Sequence, residues 1–228
     1  MTKPLLAYAV TENDERTGAI YFARHAIAAR RAGADEHGYG ELSYVSCHRA
    51  PWADWCADSR IVPASLMIEN GWHFECHGCG ETIDSDFLAE HDLPNESVIG
   101  TQCSLVFCCA ECKARDDAVE KAKKRVADEF LDGMRAYLVG RFGQIAFRDD
   151  EGWKPYTFVV HDNGSCSVNS ALLHFDFPGQ KIGPASAGYE FCLAGGARVE
   201  DTPNIVIKVC AGDLDAFASF AEATRHAR

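Results

Sequence analysis

The sequence predicts an α+β protein made of three parts. Strand-like and helix-like patterns alternate at the start of the chain, six cysteines cluster in the middle, and strand patterns dominate after a long amphipathic helix. We therefore divide the chain into an N-terminal α+β unit at 1–72, a metal-binding module with a long helix at 73–142, and a β-rich C-terminal domain with a final helix at 143–228. A chain of 228 residues can bury a core in parts of this size.

The N-terminal unit is expected to have the order β-β-α-β. Apolar runs at 5–10 and 19–23 predict two strands, and the polar stretch between them predicts a turn. A helix follows at 24–33, where a glycine marks its predicted end. Alternating polar and apolar residues at 41–50 then predict a third strand.

The middle of the chain has the spacing of a zinc site. Cys76 and Cys79 form a Cys-x2-Cys pair, and glycines on both sides of the second cysteine permit a tight turn around one ion. The second pair comes from the stretch VFCCAEC, in which either Cys108 or Cys109 joins Cys112. This stretch opens the long helix, whose partly positive N-terminus stabilises thiolates. Four sulfurs predict one structural Zn²⁺ per chain, and a knuckle, a hairpin and a helix together describe a treble clef.

The long helix is predicted at 111–141 from a repeating apolar stripe. Its members are Val119, Ala122, Val126, Phe130, Met134 and Tyr137. The C-terminal part contains five strand patterns, and a Pro- and Gly-rich loop at 176–188 precedes the fourth of them, at 189–194. The last helix is expected to start near Asp213, which we predict as its cap.

The charge distribution argues against a nucleic-acid partner. The net charge of the whole chain is -12, and residues 73–112 contain eight acidic residues and no Lys or Arg. Binding to phosphate backbones requires the opposite charge. The basic stretch at 121–125 is flanked by acids, so we predict a solvated helix face with the pairs Asp117–Lys121 and Glu120–Lys124.

The eleven cysteines also indicate a compartment. Their number is odd, which excludes complete disulfide pairing within the chain. Clustered cysteines of this kind bind metal where thiols stay reduced. No apolar run reaches the ~18 residues that a membrane span needs, so we expect a cytoplasmic protein without a membrane partner.

VFCCAEC followed by a charged helix resembles the signature of the FCS/TRASH and MYM-type zinc fingers. In this resemblance, which covers about 74–125, Phe107 is the aromatic residue and Cys108 and Cys112 are the ligands. Cys109 then occupies the position of a serine. The resemblance implies a metal and a local fold but no activity. The whole chain also resembles small uncharacterised proteins of temperate phages and prophages, a likeness that no single motif carries.

The alternative to a purely structural zinc site is an enzyme, a nuclease of the HNH class. The stretch AEHDLP, with Glu90, His91 and Pro94, resembles the DHxxP element that follows a Cys-x2-Cys knuckle in that family. In this resemblance His91 is the general base that activates water. The asparagine before Cys108 and the histidine after Cys112 are missing, which favours a surface loop over a catalytic element.

These observations predict a non-enzymatic protein-binding or scaffold protein that a structural zinc ion stabilises. Its acidic surface suits a basic site on a partner protein, which for a phage-encoded protein would be a protein in the host cytoplasm. The alternatives are a degenerate HNH-like nuclease with His91 as catalytic residue, and a nucleic-acid-binding zinc-finger protein.

Overall fold

The computed structural model describes residues 3–13, 17–190 and 205–226. Contacts between residues divide the chain into two compact units, Met1–Asp117 and Ala118–Arg228. The predicted mixture of helices and strands is confirmed, and the division into three parts stays a prediction. The cysteine-rich segment and the N-terminal strands belong to the same unit.

The first unit begins with the predicted β-β-α-β order. Its elements are β1 (Leu6–Glu12), β2 (Gly18–Ala23), α1 (Ala26–His37) and β3 (Val45–Arg49). The three strands form an antiparallel sheet with β1 in the centre. Ala7 and Val10 of β1 are fully buried on opposite faces of this sheet, in two separate core clusters.

The predicted end of α1 at Gly33 is wrong. The sequence placed the end of the helix at this glycine, but α1 continues to His37. A Cβ atom on Gly33 would lie 2.4 Å from Cγ1 of Val10. The glycine therefore allows α1 to approach β1 closely, and it does not end the helix.

Short elements build the rest of the first unit. They are α2 (Ala64–Glu69), β4 (Phe74–Glu75), β5 (Thr82–Ile83) and α3 (Ser85–Glu90), and single 3₁₀ turns occupy Leu42–Tyr44, Pro51–Cys56 and Asn95–Ser97. Buried apolar residues at and around α2, β5 and α3 form one cluster with three of the cysteines, and this cluster includes Ile68, Ile83, Leu88 and Phe107. Met67 of α2 and Ala53 of the Pro51–Cys56 turn belong to a separate cluster, which they share with the N-terminal sheet. The core of this region thus consists partly of thiols.

The helix α4 spans Ala110–Phe142, which confirms the predicted long helix. Its second half packs Phe130, Met134, Leu138 and Phe142 into the core of the second unit. The predicted stripe included Tyr137, which is 37% exposed, whereas Leu138 is fully buried. From Phe130 to Phe142 the residues that pack into the core are four positions apart. This spacing keeps them on one face of a helix with 3.6 residues per turn.

Besides most of α4, the second unit contains a five-stranded antiparallel sheet and a further helix. The strands are β6 (Ala146–Arg148), β7 (Tyr156–Asp162), β8 (Ser165–Asp176), β9 (Ala185–Glu190) and β10 (Ile205–Lys208), and α5 spans Leu214–His226. The order is β10-β9-β8-β6, and β7 pairs with the earlier part of β8. Ala171, Leu173 and Phe175 of β8 face the core with Phe220 of α5.

The start of β9 differs from the prediction. The loop predicted at 176–188 gives way to a strand at Ala185, and residues 191–194 of the predicted strand lie outside the described residues. Ala185 and Ala187 are fully buried. Small alternating residues carry little strand signal in a sequence, but here they pair with the long strand β8 and face the core.

Asp213 also differs from its predicted role. The helix α5 begins at the next residue, but the carboxylate of Asp213 accepts hydrogen bonds from the backbone N–H groups of Lys181, Ile182 and Gly183. Burial raises its pKa, but these three hydrogen bonds outweigh burial, and the pKa lies below its ordinary value. Asp213 therefore fixes the loop before β9 instead of capping α5.

Candidate metal centre

Cys76 and Cys79 lie in a tight turn between two short strands. β4 and β5 pair antiparallel, with Phe74 opposite Ile83. The N–H of Cys76 donates to the carbonyl of Glu81 at 2.8 Å, and the N–H of Gly80 donates to the carbonyl of Cys76 at 2.7 Å. Gly80 has a φ of +78°, which favours glycine over other residues. This turn directs the sulfurs of Cys76 and Cys79 towards the same point.

Cys108 and Cys112 lie at the start of α4. Cys112 is in the first turn of the helix, and Cys108 precedes the helix by two residues. Ile99 and Phe107 exchange two backbone hydrogen bonds, at 2.9 and 2.8 Å, which fix the segment that leads into the helix. The hydroxyl of Ser97 donates to the carbonyl of Cys108 at 2.8 Å. These contacts fix the position of Cys108, and α4 itself fixes that of Cys112.

The structure brings Cys76, Cys79, Cys108 and Cys112 together. Their four sulfur atoms all lie within 4.8 Å of one another. Four sulfurs at ~2.3 Å from a zinc ion lie on the order of 3.8 Å apart, so the group has the size of a tetrahedral site. Three of these cysteines are buried and Cys79 is exposed. This group could hold a metal ion, and a set of four soft thiolate donors suits zinc.

Gly78 brings the turn and the helix into direct contact. A Cβ atom on Gly78 would lie 2.7 Å from both the Cβ and the carbonyl oxygen of Cys112. The distance is shorter than any normal contact between such atoms. Only glycine therefore lets the turn approach the helix closely enough to place all four sulfurs in one group.

Backbone N–H groups point at the sulfur of Cys76. The N–H of Cys108 donates to this sulfur at 3.3 Å, and the N–H groups of Cys79 and Gly78 add to it. Burial raises the pKa of Cys76, but these hydrogen bonds outweigh burial and bring the pKa to about 7. Burial raises the pKa of Cys112 to about 12 and also raises that of Cys108. A bound cation would favour the thiolate form of all of them.

Cys109, the alternative to Cys108, is not part of the group of four. Its sulfur lies 3.7 Å from the sulfur of Cys108, and the residue is only half-buried. The backbone N–H of Cys112 lowers the pKa of Cys109 by hydrogen bonding to its sulfur. The sequence resemblance favoured Cys108, and the geometry places Cys108 among the grouped sulfurs.

Cys103 lies outside the group as well. It is exposed and occupies the turn between the paired residues Ile99 and Phe107. His77, inside the Cys76–Cys79 turn, directs Nε2 towards Asp116 at 3.5 Å and packs edge-on against Phe107. Neither residue is among the grouped ligand atoms.

His91, the alternative catalytic residue, lies at the end of α3. Its ring stacks on Phe87 with 4.2 Å between the ring centres, and its Nδ1 lies 2.9 Å from the carbonyl of Phe87. The residue is exposed. His91 is not in the group of four, and its role as a general base stays a prediction.

Gln102 connects the cysteine-rich segment to the N-terminal sheet, a role that no sequence pattern predicts. Its side-chain amide accepts a hydrogen bond from the N–H of Ile20 at 2.9 Å and donates to the carbonyl of Ile20 at 3.1 Å. Its own N–H donates to the carbonyl of Val62. A single glutamine has no periodic pattern, so only the fold reveals that it pairs with the edge of β2.

The basic stretch of α4 forms ion pairs along its own helix. Asp117 pairs with Lys113 at 2.7 Å, and Glu120 pairs with Lys123 at 2.7 Å. The two acids therefore have other partners than Lys121 and Lys124, which the sequence predicted. Both solutions use the spacing of three or four residues, and the choice depends on side-chain rotamers that a sequence pattern does not specify.

Comparison with known proteins gives no relative. No protein-family model, no curated protein and no solved structure matches this chain significantly. Within the described ranges, no helix combines the length and the apolar character that a membrane span needs.

Proposed function

We propose that this protein binds one structural Zn²⁺ through Cys76, Cys79, Cys108 and Cys112, and that it acts as a non-enzymatic protein-binding or scaffold protein. The grouping of four sulfurs within 4.8 Å carries the proposal. Four thiolates fill a tetrahedral coordination sphere and leave no position for water or substrate. The ion would therefore stabilise the fold without taking part in a reaction.

The local fold we propose is a treble clef of the FCS/TRASH or MYM type. Three features support it: the hairpin β4–β5 with Cys76 and Cys79 in its turn, Phe107 directly before Cys108, and Cys112 in the first turn of α4. In such an arrangement the ion joins a hairpin to a helix. The resemblance to temperate-phage proteins extends the proposal to a phage-encoded protein that acts on a host protein.

The proposed zinc ion would hold together a region with few regular elements. β4 and β5 have two residues each, and α3 has six. Elements this short are marginal on their own. The cysteines contribute part of the buried cluster here, so their coordination would fix the core itself.

The acidic character of the same segment supports a basic protein surface as partner. Residues 73–112 contain eight acidic residues and no Lys or Arg, and a Cys₄ zinc centre adds further negative charge. Such a surface repels nucleic acid and attracts clusters of Lys and Arg. Complex formation should weaken steeply as salt increases, because the exposed charges are screened.

Metal analysis of the purified, reduced protein tests the site. We expect one zinc per chain and X-ray absorption that fits four sulfurs at ~2.3 Å. Cys76→Ser, Cys108→Ser and Cys112→Ser should each lose most of the bound metal. Cys109→Ser is the matched control, because Cys109 adjoins Cys108 but lies outside the group, and it should keep one zinc.

The same measurement can contradict the site. Protein purified under reducing conditions without stoichiometric metal would disprove the zinc centre. Metal loss in Cys109→Ser together with full metal loading of Cys108→Ser would show that Cys109, and not Cys108, is the ligand.

Capture of partners from a cell lysate tests the protein-binding role. We expect a basic protein to bind at low salt and to dissociate at high salt. Neutralising the acids Glu81, Asp84 and Asp86 as amides should weaken the complex, whereas neutralising Asp149 and Asp150 in the second unit should leave it unchanged. Metal-dependent DNA cleavage that disappears in His91→Ala would instead support the nuclease.

A further inference from the structure

The strand β7 has a regular edge without a strand partner. Among the described residues, β7 pairs only with β8. The register shifts between Phe158, opposite Ser170, and Val159, opposite Val168, so the extra residue Asn169 belongs to β8. The irregularity therefore bends β8 and leaves β7 extended. The second edge of β7 offers a row of backbone N–H and C=O groups.

The outer face of β7 is apolar. Tyr156, Phe158 and Val160 are 54%, 47% and 37% exposed, and they alternate along the strand. Thr157 points to the opposite face, because it is paired with Ala171 of the buried core. Proteins usually protect such an edge with charges, proline or a bulge. Within β7 and its flanks, proline and Lys or Asp stand only at the two ends of the strand. The charged residues near its middle belong to α4, where Glu120, Lys123 and Lys124 line a pocket with Phe158.

We propose that a second copy of this chain pairs with β7 in antiparallel register, around a twofold axis at Phe158. The register follows from charge. It places Lys154 of each copy opposite Asp162 of the other, and both residues are exposed. Within the described part of the chain, neither has an ion-pair partner. A symmetric interface then forms this pair twice.

Neighbouring registers do not provide this charge match. Moving the twofold axis by one residue shifts the register of the two strands by two residues. Only such even shifts keep the outer faces of both copies on the same side of the joined sheet. An axis at Thr157 would place Lys154 opposite Val160, and an axis at Val159 would place Asp162 opposite Tyr156. Only the axis at Phe158 pairs opposite charges at both ends.

The same register matches the apolar side chains. Phe158 meets Phe158 of the second copy across the axis, and Tyr156 meets Val160 twice. Aromatic pairs and aromatic–aliphatic pairs of this kind stabilise antiparallel strands. The two five-stranded sheets become one continuous sheet, and the exposed edge is covered. This inference does not depend on the metal centre, which lies in the other unit.

Sedimentation velocity of the full chain over a wide concentration range tests the proposal. We expect a monomer–dimer equilibrium. Phe158→Glu puts two like charges on the axis and should weaken the dimer by about tenfold or more. Val206→Glu is the matched control, because Val206 is 56% exposed on the other edge strand, β10, and this change should leave the dimer intact. Circular dichroism checks that both variants are folded.

Exchanging the end charges tests the register itself. Lys154→Glu and Asp162→Lys should each weaken the dimer, because each single change creates two pairs of like charges. The double variant should restore it. The proposal is overturned if the chain stays monomeric, and equally if β7 binds another protein instead of a second copy. It is also overturned if Phe158→Glu leaves the dimer intact or if Val206→Glu disrupts it. Failure of the double variant to restore the dimer overturns it as well.

Discussion

Gly78 lies where the Cys76–Cys79 turn meets the backbone of Cys112. A methyl group at this position would collide with backbone at 2.7 Å, and backbone cannot rotate away as a side chain can. We expect Gly78→Ala to lower the free energy of unfolding by about 1–3 kcal/mol. The variant should also bind zinc more weakly, because the turn must move away from the helix. Denaturant unfolding and metal competition measure both effects.

Gly133 provides the control for this substitution. It lies inside α4, and nothing stands within 4 Å of the position that its Cβ would take. Gly133→Ala should be neutral or should stabilise the protein by about 0.5–1 kcal/mol, because alanine favours helices. Equal destabilisation by both substitutions would show that the contact with Cys112 does not matter.

Asp213 is the one buried charged residue among the described side chains. Its pKa lies below the ordinary value of 3.8, because three backbone N–H groups stabilise the carboxylate. The folded state therefore gains stability from this group above pH 3.8, and loses it as pH falls through the lowered pKa. Asp213→Asn should destabilise the second unit at neutral pH, and the difference from the natural protein should vanish in acid.

Denaturant unfolding at several pH values checks this behaviour. Asp215→Asn is the matched control, since Asp215 is exposed in the first turn of α5. Its effect should be several times smaller than that of Asp213→Asn. A stability difference for Asp213→Asn that stays constant into acid would contradict the proposed role of its charge.

At the scale of elements, Gln102 completes the edge of β2. Its amide takes the place of a neighbouring strand at Ile20, and Gln102 itself is half-buried. Gln102→Ala should cost about 1–2 kcal/mol of unfolding free energy, because both backbone groups of Ile20 lose a partner. Hydrogen exchange of the Ile20 amide should speed up in the variant. Gln144→Ala, an exposed glutamine of the other unit, should leave this amide unchanged.

The elements differ in how well the sequence predicted them. The helix α4 and strands β1 to β3 carry periodic apolar patterns, which depend on neighbours along the chain. β9 is built from alanine, serine and glycine, and its identity as a strand depends on pairing with β8. The end of α1 was also hidden, because Gly33 serves packing against Val10 and not termination.

At the scale of the whole molecule, removal of zinc should affect the two units differently. The grouped cysteines all belong to the first unit, Met1–Asp117. We expect a strong chelator to raise hydrogen exchange throughout 74–112, because the core there consists partly of the cysteines. The strands β8 and β9 should keep their protection. Mass spectrometry of peptides after exchange measures both units in one experiment.

A uniform response would contradict this prediction. If chelation unfolded β8 and β9 together with 74–112, the two units would form one cooperative structure. If neither region changed, the metal would have no structural role. Re-addition of zinc should restore the protection in 74–112, which serves as the control for chelator damage.

The sequence by itself determined the α+β class, the β-β-α-β start, the long helix and the two pairs of cysteines. These features depend on residues close together in the chain, so spacing and periodicity suffice to predict them. The tertiary structure decided which sulfurs gather, and it placed Cys108 in the group while Cys109 stayed outside. It also decided the roles of Gln102 and Asp213. Their partners are distant in sequence, and only folding brings those backbone groups within hydrogen-bonding distance.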